Sequence, residues 1–175
     1  TSTVTCATGS SMTLGPSITV RGQTGSVGGF NCSVVNQGTI HADTIGGRLN
    51  IDFANTTVPS LGTLRVSAGD MVITGNNWHS GLTEVLGGTL SFGTIPLPGT
   101  ITQESLSTVR RAENGTAGTI NLLATVTGGL MLDDNLGSMF LRYGRLVGGT
   151  LDVAPGSHAQ LIATDSLGTL SGVNI

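Results

Sequence analysis

The side chains able to move protons, attack electrophiles or hold metal ions are few: three histidines, two cysteines, ten carboxylates and seven cations. His41 and Asp43 stand two residues apart, so any strand that carries them turns both toward one face. That spacing recurs too often by chance to count as half of an acid–base dyad. His41, His79 and His158 lie in separate segments, and neither His-x-x-x-His nor Cys-x-x-Cys occurs, so no zinc site is expected. The Gly-Gly-x-Gly-x-Asp calcium repeat is also missing, and the neighbours Asp133 and Asp134 do not replace it. All seven cations are arginines, scattered except for Arg110 and Arg111, which leaves no lysine as a general base and no basic face for a phosphate backbone. Carboxylates are thinly spread, without the paired arrangement that glycoside hydrolysis uses. No catalytic residue, cofactor, metal or nucleic-acid partner is therefore expected, and an enzyme such as a polysaccharide lyase or hydrolase ranks last among the readings.

Three features remain as candidates. Cys6 and Cys32 are 26 residues apart, close to one turn of a solenoid, and adjacent layers about 4.8 Å apart fall within disulfide reach. Two buried thiols are the alternative. Trp78, in Asn76-Asn77-Trp78-His79-Ser80-Gly81, either stacks on a sugar ring or packs over the edge of a coil. Arg110 and Arg111 lie in an irregular stretch that is either a ligand-contact loop or a longer corner.

The elements that must position these residues follow from composition and repetition. Glycine occurs 28 times, aromatic residues make up 3 % and charged residues 10 %, against about 25 % charged in ordinary domains. A 38 % hydrophobic share gives the chain enough to bury that low charge does not imply disorder, and the scarcity of aromatics suits thin aliphatic layers better than a centre built on large rings. The tripeptide Gly-Thr-(Ile/Leu) recurs eight times, beginning at Gly38, Gly62, Gly88, Gly93, Gly99, Gly118, Gly149 and Gly168. Several copies run on into strict alternation, as in Gly87-Gly88-Thr89-Leu90-Ser91-Phe92, which places Leu90 and Phe92 on one face and Ser91 on the other. Intervals such as Gly38 to Gly62 match the ~20–30 residues of a solenoid repeat.

The expected fold is thus all-β, a right-handed parallel β-solenoid of roughly seven to nine coils with glycine corners. An antiparallel β-sandwich is the competing architecture, since it also alternates strands and turns. One domain covers residues 1–175, with irregular excursions near 96–118 and 133–145, and Ser105 to Glu113 is the best helical stretch. No run approaches the ~20 apolar residues of a membrane span.

The phrases Asn36-Gln37-Gly38-Thr39-Ile40-His41-Ala42, Leu61-Gly62-Thr63-Leu64-Arg65-Val66 and Gly88-Thr89-Leu90, between Val35 and Phe92, resemble the repeats of bacterial exported β-helical surface proteins. These are the autotransporter passenger and haemagglutinin-type adhesin repeats. The resemblance implies a right-handed parallel β-helix on an exported, extracellular or cell-surface protein, and it brings no catalytic residues with it. Repeat-like strands at both ends, without an evident cap, suggest end-to-end self-association into a filament or continuation of a longer solenoid. An adhesin segment that binds glycans through projecting loops is the alternative.

Overall fold

The computed structural model describes residues 2–29, 31–53, 60–76, 81–96 and 99–175. Among them the chain winds into eight coils. The first contains β1 (Ser2–Val4), β2 (Ser11–Leu14) and β3 (Thr19–Arg21), and the second β4 (Thr24–Val27), β5 (Ser33–Asn36) and β6 (Thr39–Ala42). The third holds β7 (Arg48–Asp52) and β8 (Thr63–Val66), and the fourth β9 (Asp70–Thr74) and β10 (Leu82–Val85). In the fifth, β11 (Thr89–Phe92) and β12 (Thr100–Ile101) are followed by α1 (Gln103–Ser107), β13 (Val109–Arg111) and α2 (Ala112–Gly115). The sixth comprises β14 (Thr119–Leu122), β15 (Thr125–Thr127) and β16 (Leu130–Leu132), and the seventh β17 (Met139–Leu141), β18 (Arg145–Val147) and β19 (Leu151–Val153). The last has β20 (Leu161–Ala163) and β21 (Thr169–Ser171).

Each strand pairs with its counterpart in the coil above or below, and every strand pairing is parallel. The molecule is therefore a parallel β-solenoid, and the antiparallel sandwich is excluded. One sheet, β1-β4-β7-β9-β11-β14-β17-β20, takes a strand from all eight coils and runs the length of the stack, about 34 Å at ~4.8 Å per layer. A second, β13-β10-β8-β6-β3, spans the first five coils, and a third, β12-β15-β18-β21, the last four. Coil length varies from 19 residues, where Asp70 pairs with Thr89, to 30, where Thr89 pairs with Thr119.

Alternation in the sequence becomes columns in the core. Val4, Val27, Ile51, Ile73, Phe92, Leu122, Leu141 and Ala163 lie over one another through all eight coils. The interior members of the column, Val27 to Leu122, are at most 1 % exposed. Each such side chain contributes about 1.5–3 kcal/mol on leaving water.

The 30-residue coil accommodates the first irregular stretch without projecting it. Thr102 caps α1 by accepting from the Ser105 N–H, and Leu106 at 1 % exposure joins the core. The Gln103 side chain both donates to the Met131 carbonyl and accepts from its N–H, which ties α1 to the next coil. The helical stretch expected over Ser105 to Glu113 is interrupted, because Val109–Arg111 pairs with β10 and Val109 fills an inward position. In the second irregular stretch Asp133 accepts from the Asn135 and Leu136 N–H groups, closing a tight turn before β17.

Glycine in the repeated tripeptide meets two needs: a turn with positive φ at Gly88, Gly93, Gly99, Gly118 and Gly149, and close passage over the coil below at Gly62. Gly88 does turn with a positive φ of 62°. Gly62 does not; there a Cβ would lie 2.4 Å from the Gly38 carbonyl oxygen and 2.7 Å from the Asn36 amide nitrogen. The chain thus crosses directly over the coil beneath it, with Thr63 N–H donating to that same Gly38 carbonyl at 2.8 Å. Gly62→Ala is expected to cost about 1–3 kcal/mol. Gly22→Ala, with open space around the new methyl, stays within about 0.5 kcal/mol of wild type. Urea midpoints of the two variants measured side by side test this, and equal midpoints contradict it.

Candidate functional site

Register brings together polar residues that are far apart in sequence. On the outward face of the five-stranded sheet, Arg21, His41, Arg65, Glu84 and Arg110 form one column across five coils. Arg65 pairs with Glu84 and Arg21 with Asp43, each at 2.5 Å. His41 Nε2 lies 2.8 Å from the Ser67 hydroxyl, and its Nδ1 lies 3.9 Å from the Asp43 carboxylate.

Serine, imidazole and carboxylate in that order are the groups of an acyl-transfer relay. In such a relay the carboxylate orients the ring through a hydrogen bond to Nδ1. Here 3.9 Å is beyond hydrogen-bond reach, and the Asp43 oxygen concerned is also the one bound to Arg21. The column is better described as a ladder of charges that clamps successive coils. Partial burial pushes the His41 pKa below its ordinary value; Asp43 opposes this, and Arg65 and Arg21 reinforce it.

Arg110 and Arg111 are adjacent in sequence but do not act together, because alternation in β13 turns them to opposite faces. Arg110 faces outward and donates to the Ser107 and Val109 carbonyls at 2.7 and 2.8 Å. Arg111 occupies the position that continues the inward column Ala42, Val66, Val85. Its guanidinium donates to the carbonyls of Ala117, Ser138, Thr116 and Gly118, gathering the α2 turn and the next coil around one cation. Burial lowers its pKa from the ordinary arginine value. The planar fork suits this task, and a lysine ammonium would not reproduce it.

Cys6 and Cys32 form a disulfide with a Cα separation of 5.5 Å, joining the first coil to the second. Trp78 lies outside the described residues. Among the described residues no cluster of three or more His, Cys, Asp or Glu side chains is arranged to hold a metal ion, and no helix is long and apolar enough to cross a membrane.

The two ends of the stack are alike. Among the described residues β1 pairs only with β4 and β20 only with β17, so each leaves one strand edge unpaired there. Inward residues lose their cover there: Val4, Met12 and Val20 in the first coil are partly exposed, and Leu170 in the last is 45 % exposed. These edges, the charge ladder and the recessed face of the long sheet are the three surfaces on which a function can rest.

The fold and these surfaces define a parallel β-solenoid. Comparison with known protein families, characterised proteins and solved structures gives no match.

Sequence reasoning singled out His41 and Asp43 but missed Ser67 and Glu84. A signal existed: His41, Arg65 and Glu84 each stand three residues after a glycine, Gly38, Gly62 and Gly81, at which the coil crosses its neighbour.

Two outcomes follow. With its folded pKa lowered, His41 binds a proton less readily in the folded chain than in the unfolded one. The stability it confers is therefore present above the unfolded value of about 6.5 and is lost as pH falls through that value toward the folded one. Denaturant midpoints measured between pH 7 and pH 5 should fall less steeply for His41→Gln than for wild type. Arg111→Met removes the donor to three part-buried carbonyls and should cost about 1–3 kcal/mol, with no recovery in Arg111→Lys when their thermal melts are compared.

Proposed function

We propose that the chain is a structural β-solenoid module of an exported, cell-surface or extracellular protein, and that its end coils pair edge to edge with further solenoid. The observation that carries this reading is the way the core column remains in register to both ends while losing its cover there. An inward column that runs open at both ends is completed by another layer of the same geometry. A neighbouring copy supplies such a layer, and so does more solenoid within one polypeptide.

The chemistry of the edges favours addition. The usual devices that block an exposed strand edge are lysine, inward-pointing charge and proline. The chain contains no lysine, and the strands of the last coil carry no charged residue. Because the two edges belong to opposite ends, pairing between copies is head to tail, and a contact of that kind propagates as a filament unless it closes into a ring. The Cys6–Cys32 bridge supports an oxidising compartment, in keeping with the surface-protein repeats that Val35 to Phe92 resemble. No catalytic step belongs to this reading, since the Ser67–His41–Asp43 group lacks the bond that would orient its imidazole.

Light scattering and negative-stain microscopy test the assembly directly. Wild type is expected to form elongated particles whose length grows with concentration. The double variant Leu161→Lys/Leu170→Lys, which places ammonium groups at inward positions of the last coil, should remain monomeric with an unchanged far-ultraviolet spectrum. A wild-type chain that stays a monodisperse monomer at high concentration would falsify self-stacking.

A further inference from the structure

The outward face of the long sheet carries the column Ser26, Asn50, Val72, Ser91, Asn121 and Phe140. Residues that point away from the core of a flat sheet are exposed, yet Val72 is only 4 % and Asn121 only 7 % accessible. They form the floor of a recess. The recess is a groove of about 530 Å³ that runs along the stack from Arg48 in the third coil to Ser166 in the eighth. Five layer spacings separate those coils, about 24 Å.

On the groove floor lies a polar group whose needs the protein does not meet. The Asn121 amide nitrogen makes a long contact of 3.4 Å with the Ser91 hydroxyl, and its buried carbonyl oxygen has no hydrogen-bond partner. Exchanging the two amide atoms still leaves one of them unpaired, then a donor in place of an acceptor, and a ligand hydroxyl can serve either. Folding alone gives no reason to keep such a group, since a buried acceptor without a donor is destabilising. A donor brought by a ligand removes the penalty.

The walls indicate the kind of ligand. Next to the amide are hydroxyls such as Ser91 and Thr119 and the apolar side chains of Val72 and Leu123. At one end stand Arg142, which is exposed, and Tyr143, 48 % exposed, whose N–H donates to the Ser166 carbonyl. Hydroxyls and one amide interleaved with small apolar patches, beside the Tyr143 ring, match a molecule that alternates hydroxyl groups with C–H faces. Arg48 and Arg142 against Asp70 leave one excess positive charge. A peptide is less well served, because the backbone groups of these strands are already engaged in the ladders between coils and only side chains face the groove.

We infer that this groove binds an acidic oligosaccharide lying along the stack, with a sugar hydroxyl donating to Asn121 and a carboxylate meeting Arg142. The groove reaches the last coil at Ser166, but outward side chains line it and no strand edge does, so binding there does not depend on the assembly proposed above.

An array of uronate- and sialate-containing oligosaccharides beside neutral ones, probed with the full chain, tests the assignment. Acidic members should be retained and neutral ones not, and binding should weaken with added salt. Arg142→Ala, a surface change that leaves the fold intact, should weaken retention at least tenfold. Asn121→Leu should do the same while raising the melting temperature, a combination that a merely structural amide cannot give. Arg110→Ala, on the other long face, should bind as wild type. The inference is overturned if no acidic glycan is retained, if neutral glycans bind equally well, or if poly-glutamate displaces the glycan at equal charge concentration. Retention that survives both Arg142→Ala and Asn121→Leu overturns it as well.

Discussion

Backbone hydrogen bonds between layers fix the coils about 4.8 Å apart, and nearly every other choice in this chain answers to that distance. Where a strand lies over a strand, side chains leave sideways and the spacing costs nothing. Where the chain turns from one sheet to the next, it passes over the carbonyls of the coil below, and there a Cβ has no room. Gly38, Gly62 and Gly81 meet that condition in three successive coils, each above a carbonyl of the preceding one. Once the crossing points are fixed, the alternating residues that follow are forced into columns, inward for Ile40 and Leu64 and outward for His41 and Arg65.

The repeat made the stack legible from sequence, because identical layers require identical residues at identical places. The aliphatic core followed from alternation, and the parallel stacking from the recurring tripeptide, since alternation by itself also fits an antiparallel sandwich. Less was legible about cause: glycine in the tripeptide suggested a turn, whereas its main service at Gly62 is clearance between layers. The surroundings of Arg111 were hidden for a related reason. Arginine in a polar stretch suggests an exposed contact, and only the register with Ala42, Val66 and Val85 reveals that it faces inward among carbonyls.

The groove was hidden by the longest coil. Ser91 and Asn121 are 30 residues apart, and the insertion that carries α1, β13 and α2 lies between them. No fixed period aligns them, so their juxtaposition emerges only when the insertion is folded back onto the stack. The charge ladder was within reach, since its members keep a constant offset from glycines that do recur. Regular spacing thus exposes what is structural, while the irregular coil conceals the face on which the buried Asn121 oxygen lacks a partner.

The single disulfide gives the stack a direction. It locks the first coil to the second, whereas the eighth is held by hydrogen bonds and packing alone. In a one-dimensional array, where each layer leans only on its neighbours, loss of order starts at the weaker terminus and travels inward. Under heat or mechanical load the layers remote from the bridge part before the two coils it pins. The pinned coils survive as a seed on which the rest can rewind.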